Sequence, residues 1–205
     1  MTMMEDCIRF IRKCYKCQVH GDISHLPPTE LHSISSPWPF STWGLDIIRE
    51  IHPTASNGHR FILVAVDYFT KWVEAESYAK LGAKQVAKFI RNNFFCRYRI
   101  PHHIVSDNGV QFQGEVRALL RSYKVEHHKS LSYRPQANGA VKTVNKNIKK
   151  ILSKMTQTYR DWSDRLPYAL WGYRTIIRTS TGPTHFSLVY GSEAVLPVKV
   201  ELESL

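Results

Sequence analysis

Six consecutive apolar residues, Phe61-Ile62-Leu63-Val64-Ala65-Val66, constrain this chain more than any other feature. Flanked by Arg60 and Tyr68, they read as a strongly apolar strand at the centre of a sheet. The run is far short of the ~18–20 apolar residues that cross a bilayer, so no membrane partner is expected. The segments on either side complete the sheet. Trp43 to Ile51 reads as a strand, Asn57-Gly58 as a turn, and Lys71 to Tyr78 as a third strand of an antiparallel meander. After that the hydrophobic period changes. From Ala83 to Phe95, Val86, Ala87, Ile90 and Phe94 recur on one face, opposite Lys84, Lys88 and Arg91, which predicts a helix. His103 to Ser106 is a short strand closed by Asp107-Asn108-Gly109. Val116, Leu119, Leu120 and Tyr123 mark a second helix, and Val125 to His128 a fifth strand. This order predicts an α/β fold: a mixed five-stranded sheet flanked by helices. At 205 residues the chain is long enough for one domain with appendages or two small domains.

The third helix carries two patterns. Val141, Val144, Ile148, Ile151, Leu152 and Met155 form a core-facing stripe, while Lys142, Lys146, Lys150 and Lys154 recur every fourth residue with Lys149 beside them. Like charges at i,i+4 weakly destabilise an isolated helix, so such a ladder needs strong packing or an anion to face. The chain's net charge of +11 points the same way, towards a polyanion such as nucleic acid. A merely solvated basic face is the alternative. A further helix is expected from Trp162 to Ile177. The stretch from Gly191 to Leu205 has no helical period.

At the N-terminus, Glu5 to Lys16 has a weak helical spacing in Ile8, Ile11 and Tyr15. Met1 to Cys7 carries Glu5 and Asp6 and no apolar h-region, so no signal peptide is expected. Four cysteines cannot frame a disulfide scaffold of this size. Cys14-x-x-Cys17 reads instead as reduced, intracellular thiols able to bind a metal. Prolines and serines between Gly21 and Pro39 mark a linker or extended arm.

Two carboxylates stand out. Asp46 interrupts an apolar strand between Leu45 and Ile47, where a bare charge needs a partner or a cation. Asp107 sits where the fourth strand ends. Alone it reads as a turn former, but if the two strands are neighbours the pair converges into hard oxygen ligands for Mg²⁺ or Mn²⁺.

The runs Thr42-Trp43-Gly44-Leu45-Asp46, Ile104-Val105-Ser106-Asp107-Asn108-Gly109, Tyr133-Arg134-Pro135-Gln136-Ala137-Asn138-Gly139-Ala140-Val141 and Pro183-Thr184-His185-Phe186-Ser187-Leu188-Val189-Tyr190-Gly191 resemble, in order, the integrase of gypsy-type LTR retrotransposons. The resemblance implies a ribonuclease H-like core over 38–190. It also implies a truncated remnant of a zinc-binding segment over 1–22, a linker over 23–37 and a C-terminal tail over 191–205. It further implies nuclear DNA integration by 3′-processing and strand transfer, with three carboxylates holding two divalent metals. DNA is the implied partner, with further integrase subunits or copies of the chain. Tyr133, Gln136 and Asn138 match a loop that touches DNA ends. Lys146 and Lys149 match helix lysines that contact phosphates, which makes the ladder, Lys150 included, a DNA-facing surface.

The chain departs from the family twice. Sixty residues separate Asp46 from Asp107 and 34 separate Asp107 from position 142, where the family's glutamate is replaced by Lys142. No Asp or Glu lies between Glu126 and Asp161. Asn145, one turn on, is the only nearby oxygen donor. An ammonium ~4 Å from a divalent ion is repelled by roughly 8 kcal/mol at an effective dielectric near 20, less whatever the flexible side chain relieves by swinging away. The second metal site is therefore expected to be compromised and the enzyme impaired. The second departure is the loss of the His pair that precedes Cys14 and Cys17. His20 and His25 make a loop too tight for a common zinc site, so zinc is not expected. His127-His128 reads as ordinary strand-end histidine. Three functions stay open: an active polynucleotidyl transferase, a non-catalytic nucleic-acid-binding remnant, and a basic RNA-binding domain. The last has no RNP1-type aromatic signature in its favour.

Overall fold

The computed structural model describes residues 3–14, 36–49, 51–129, 139–155, 160–177 and 182–195. The chain divides into two compact units, Met1–Ser33 and Ile34–Leu205. In the first, helix α1 (Met3–Lys13) opens with Glu5 and Asp6, acidic residues that favour a helix N-terminus. No helix among the described residues is long and apolar enough to cross a membrane.

The second unit runs β1 (Thr42–Ile48), β2 (Phe61–Asp67), β3 (Val73–Tyr78), α2 (Ala83–Ile90), β4 (His103–Ser106), α3 (Glu115–Ser122), β5 (Glu126–Lys129), α4 (Gly139–Met155), α5 (Trp162–Thr175) and α6 (His185–Tyr190). The sheet order is β3-β2-β1-β4-β5. β2 pairs antiparallel with β1 and β3, whereas β4 runs parallel to both β1 and β5. The apolar run is indeed an interior strand. Ile62, Leu63, Val64 and Val66 are completely buried, each worth about 1.5–3 kcal/mol.

Alternation along the strands splits the core between the two faces. Ile48, Ile62, Val64, Val66 and Val105 pack with the α4 stripe, Val141, Val144, Ile148 and Leu152, and with Trp162 and Leu166 of α5. Trp43, Leu45, Leu63, Ala65 and Ile104 pack with Val86, Phe89 and Ile90 of α2 and with Val116 and Leu120 of α3. Asp46 follows the parity of Ile48 and so faces α4. A Cβ at Gly44 would run into Val141 Cγ2 and the Tyr68 ring, so this glycine sets how closely α4 approaches β1. At the β3 edge of the sheet, Arg174 of α5 pairs with the buried Glu74 of β3 at 3.1 Å, and Arg97 reaches the same oxygen at 3.2 Å.

Several boundaries differ from the sequence reading. β1 stops at Ile48 rather than Ile51, although Ile51 N–H still donates to Arg60 O at 3.1 Å; Pro53 beyond it has no N–H to pair. The helix from Ala83 is α-helical only to Ile90 and widens into a π turn over Arg91–Phe95. There Phe94 stacks on Trp43 at 4.4 Å and Phe95 meets Tyr123 edge-on at 4.9 Å. The helix from Trp162 ends at Thr175, because Ile176 is extended. Helix α6 is an element the sequence reading lacks. Thr184 caps it by accepting from Ser187 N–H at 3.0 Å, and Gly191 closes it at φ 73°.

Candidate active site

β1 and β4 are parallel neighbours with Gly44 opposite Val105, so Asp46 and Asp107 emerge from adjacent strands at the same end of the sheet. Asp107 lies just past Ser106, the last residue of β4. Its Oδ1 accepts Gly109 N–H at 2.8 Å, so the turn role and the site role coexist. Asp46 Oδ1 accepts Ile47 N–H and its Oδ2 accepts Asn145 Nδ2–H, each at 2.8 Å.

The Asp46 pKa is raised above the ordinary carboxylate value. Burial is the main cause. The Ile47 hydrogen bond opposes it, the charge of Asp107 adds to it, and Lys142 and the Asn145 hydrogen bond oppose it. Asp107 and Lys142 are thus both near enough to act on Asp46. Asp46, Lys142, Asn145, Lys146 and Lys149 line one cleft of about 370 Å³. The three lysines are exposed and Asn145 is buried. Positions 142, 146 and 149 fall on one stripe of α4, which the Gly44 contact lays over β1. Lys150 is exposed but lies outside that lining.

The donor set fits one hard divalent ion. Two carboxylates repel each other across the site, and Asn145 Oδ1 is buried without a hydrogen-bond partner among the described residues. It does not fit two. Besides Asp46 the cleft lining offers no carboxylate, its other charged groups are lysines, and the Lys142 charge already acts on Asp46. Asn145, read from sequence as an oxygen donor, also donates its N–H to Asp46, a role that only the α4-on-β1 packing reveals. Cys14, half-buried after α1, is not in a disulfide among the described residues. Cys17, Tyr133, Gln136 and Asn138 lie outside the described residues, as do His20 and His25.

A five-stranded mixed sheet with helices on both faces and carboxylates on its central strands is a ribonuclease H-like core. The same fold appears in the simian T-cell lymphotropic virus intasome in complex with PP2A regulatory subunit B56 gamma (TM-score 0.67, 21% identity, 96% of this chain and 69% of that one). It also appears in the HTLV-2 integrase catalytic core domain in complex with magnesium, in its trimeric form (TM-score 0.61, 20% identity, 76% of this chain and 98% of that one). Within that class, residues 37–135 match the family model of the integrase core domain, a region similar to those of retroviral Pol proteins. Its sequence is 32% identical over 193 residues to a Pol polyprotein of Feline endogenous virus ECE1 (93% of this chain, 18% of that protein). It is 35% identical over 160 residues to a Gag-Pol polyprotein of Feline leukemia virus (75% of this chain, 9% of that protein). The chain therefore spans less than a fifth of the length of these two polyproteins.

Proposed function

We propose that this chain is the catalytic-core portion of a gypsy-type LTR retrotransposon integrase, acting on DNA in the nucleus, and that its metal-dependent 3′-processing and strand transfer are strongly impaired. The observation that carries this reading is the juxtaposition of Asp46 and Asp107 on parallel neighbours with Lys142 in place of a third carboxylate. The magnesium in the HTLV-2 core supports Mg²⁺ or Mn²⁺ as the ion for Asp46 and Asp107, and the intasome and the trimeric form support DNA and further integrase subunits as partners. When bound, the ion supplies Lewis-acid polarisation of a phosphodiester oxygen and a lowered pKa for the attacking hydroxyl.

The chain's own residues do the rest. Asn145 holds Asp46 in orientation through its N–H. Lys146 and Lys149 face the cleft and bind the DNA phosphates on either side of the reacting bond. Lys142 offers an ammonium where the leaving oxygen's counter-ion would be held; it attracts phosphate but repels a second ion.

A Mn²⁺-supported disintegration assay on a branched oligonucleotide tests the reading. The unmodified chain should show activity reduced by about three or more orders of magnitude, equivalent to ~4 kcal/mol or more of lost transition-state stabilisation, and Lys142→Glu should recover part of it. Robust turnover by the unmodified chain, abolished by Asp46→Asn, would overturn the impairment. A second reading, a non-catalytic nucleic-acid-binding remnant, is favoured by the three lysines that surround a single carboxylate in the cleft. It predicts no recovery in Lys142→Glu while DNA binding persists.

A further inference from the structure

The opposite end of β4 carries a second constellation. In the parallel β4–β5 pair His103 stands opposite Glu126, and Val105 opposite His128. Residues two apart on a strand share a face, so Glu126 and His128 project together beside His103. His127 turns to the other face, where its Nε2 meets Ser106 Oγ at 2.8 Å. The three side chains converge. His103 Nδ1 lies 3.0 Å from His128 Nε2, and Glu126 Oε2 lies 3.3 Å from the first nitrogen and 3.5 Å from the second. All three are partly or largely exposed to solvent.

These separations have a chemical meaning. Ligand atoms ~2.0–2.1 Å from a four-coordinate ion stand about 3.3–3.4 Å from one another, and the three observed spacings bracket that value. A point about 2 Å from all three atoms exists just outside their plane. A hydrogen bond between the two rings accounts for one side of the triangle only. Two imidazoles and one carboxylate suit a borderline transition metal rather than Mg²⁺, which prefers an all-oxygen shell. The site is separate from the acidic pair, since His103 begins β4 and Asp107 follows its end, roughly 13 Å away along the strand.

We propose that His103, Glu126 and His128 bind a first-row divalent transition-metal ion, zinc in the first instance, with the remaining position open to water. The ion clips β5, the edge strand, to β4, the strand that leads into Asp107. Nothing in the within-strand spacing announces this site, because the ligands come from two strands and only the register aligns them.

The test is histidine-ring NMR of the full chain, cleared of metal with chelator and titrated with Zn²⁺ in excess Mg²⁺. About one equivalent should shift the His103 and His128 rings and leave the His59 ring, held by Ser77 Oγ, unmoved. His103→Ala and His128→Ala should each weaken zinc binding by at least about tenfold, as loss of a direct ligand requires. All three side chains reach solvent, so these variants should keep the cooperative melt of the parent. Glu126→Gln, which preserves size and packing, should weaken binding as well and guards against misfolding as the cause. Rings that stay unmoved at millimolar Zn²⁺, zinc taken up only by the cysteines included, would overturn the proposal. So would His103→Ala and His128→Ala variants that bind as tightly as the parent.

Discussion

Asp67 closes β2 with its side chain fully buried, and its oxygens accept Phe40 N–H at 3.0 Å, Thr70 N–H at 2.8 Å and Thr70 Oγ1–H at 2.7 Å. Burial still outweighs those hydrogen bonds and the charge of Lys71, so its pKa stands above the ordinary carboxylate value. The contact matters to the site because Phe40, held in a left-handed conformation at φ 63°, delivers the chain into β1 and hence to Asp46. A carboxyl whose folded pKa is raised contributes stability in full below its unfolded pKa, about 3.9, and loses that contribution as pH rises through the folded value. Asp67→Asn never ionises. It lacks one acceptor and starts less stable, but its melting temperature relative to the parent should climb from about pH 4 and level off once the pH passes the folded value. A pH-independent gap in paired calorimetric melts would mean that Asp67 ionises freely in the fold.

At the scale of elements, α4 does two things with one sequence. Its apolar stripe was legible because three- and four-residue spacing is the signature of a helix with one buried face, and Val141, Val144, Ile148 and Leu152 are all buried. Its lysines were legible as a ladder, but not the division among them. Lys142, Lys146 and Lys149 turn into the Asp46 cleft and Lys150 does not, because Gly44 sets how α4 lies on β1. That division makes a prediction. Lys146→Ala with Lys149→Ala should lower affinity for unrelated duplexes alike and flatten d log K/d log[salt] by about 1.8, near 0.9 for each phosphate that is no longer neutralised. Lys150→Ala alone should leave the slope nearly unchanged. Filter binding across a salt series checks both, and an unaltered slope in the double variant would make the stripe a solvated face. Other elements were hidden for physical reasons. A six-residue α6 is too short for periodicity to register, although its Thr184 and Gly191 caps were present in the sequence. The π turn after Ile90 keeps the same apolar residues as a regular helix would.

The second unit rests on two apolar layers, one on each face of the sheet. Both were foreshadowed by the change from strand period to helix period after Tyr78. What the sequence could not disclose was which strands are neighbours. Parallel pairing of β4 with β1 brings Asp107 to the same end of the sheet as Asp46, and parallel pairing of β4 with β5 brings His103 to His128; each pair is far apart in the chain. Asp46 within β1, Asp107 just past β4, and His103, Glu126 and His128 on the β4–β5 pair all lie outside both apolar clusters. The stability of the core therefore comes from burial and not from coordination, in contrast to domains that unfold when their metal is removed. Treatment with EDTA should leave a single cooperative transition. The melting temperature should fall only by linkage, at most about 2.7 kcal/mol for an ion present at 100 times its dissociation constant. For a domain of this size that corresponds to roughly 5–10 °C. Calorimetry with and without chelator measures the shift. Disappearance of the cooperative transition in EDTA would show that ion binding, and not the two apolar layers, holds β4 and its carboxylate in place.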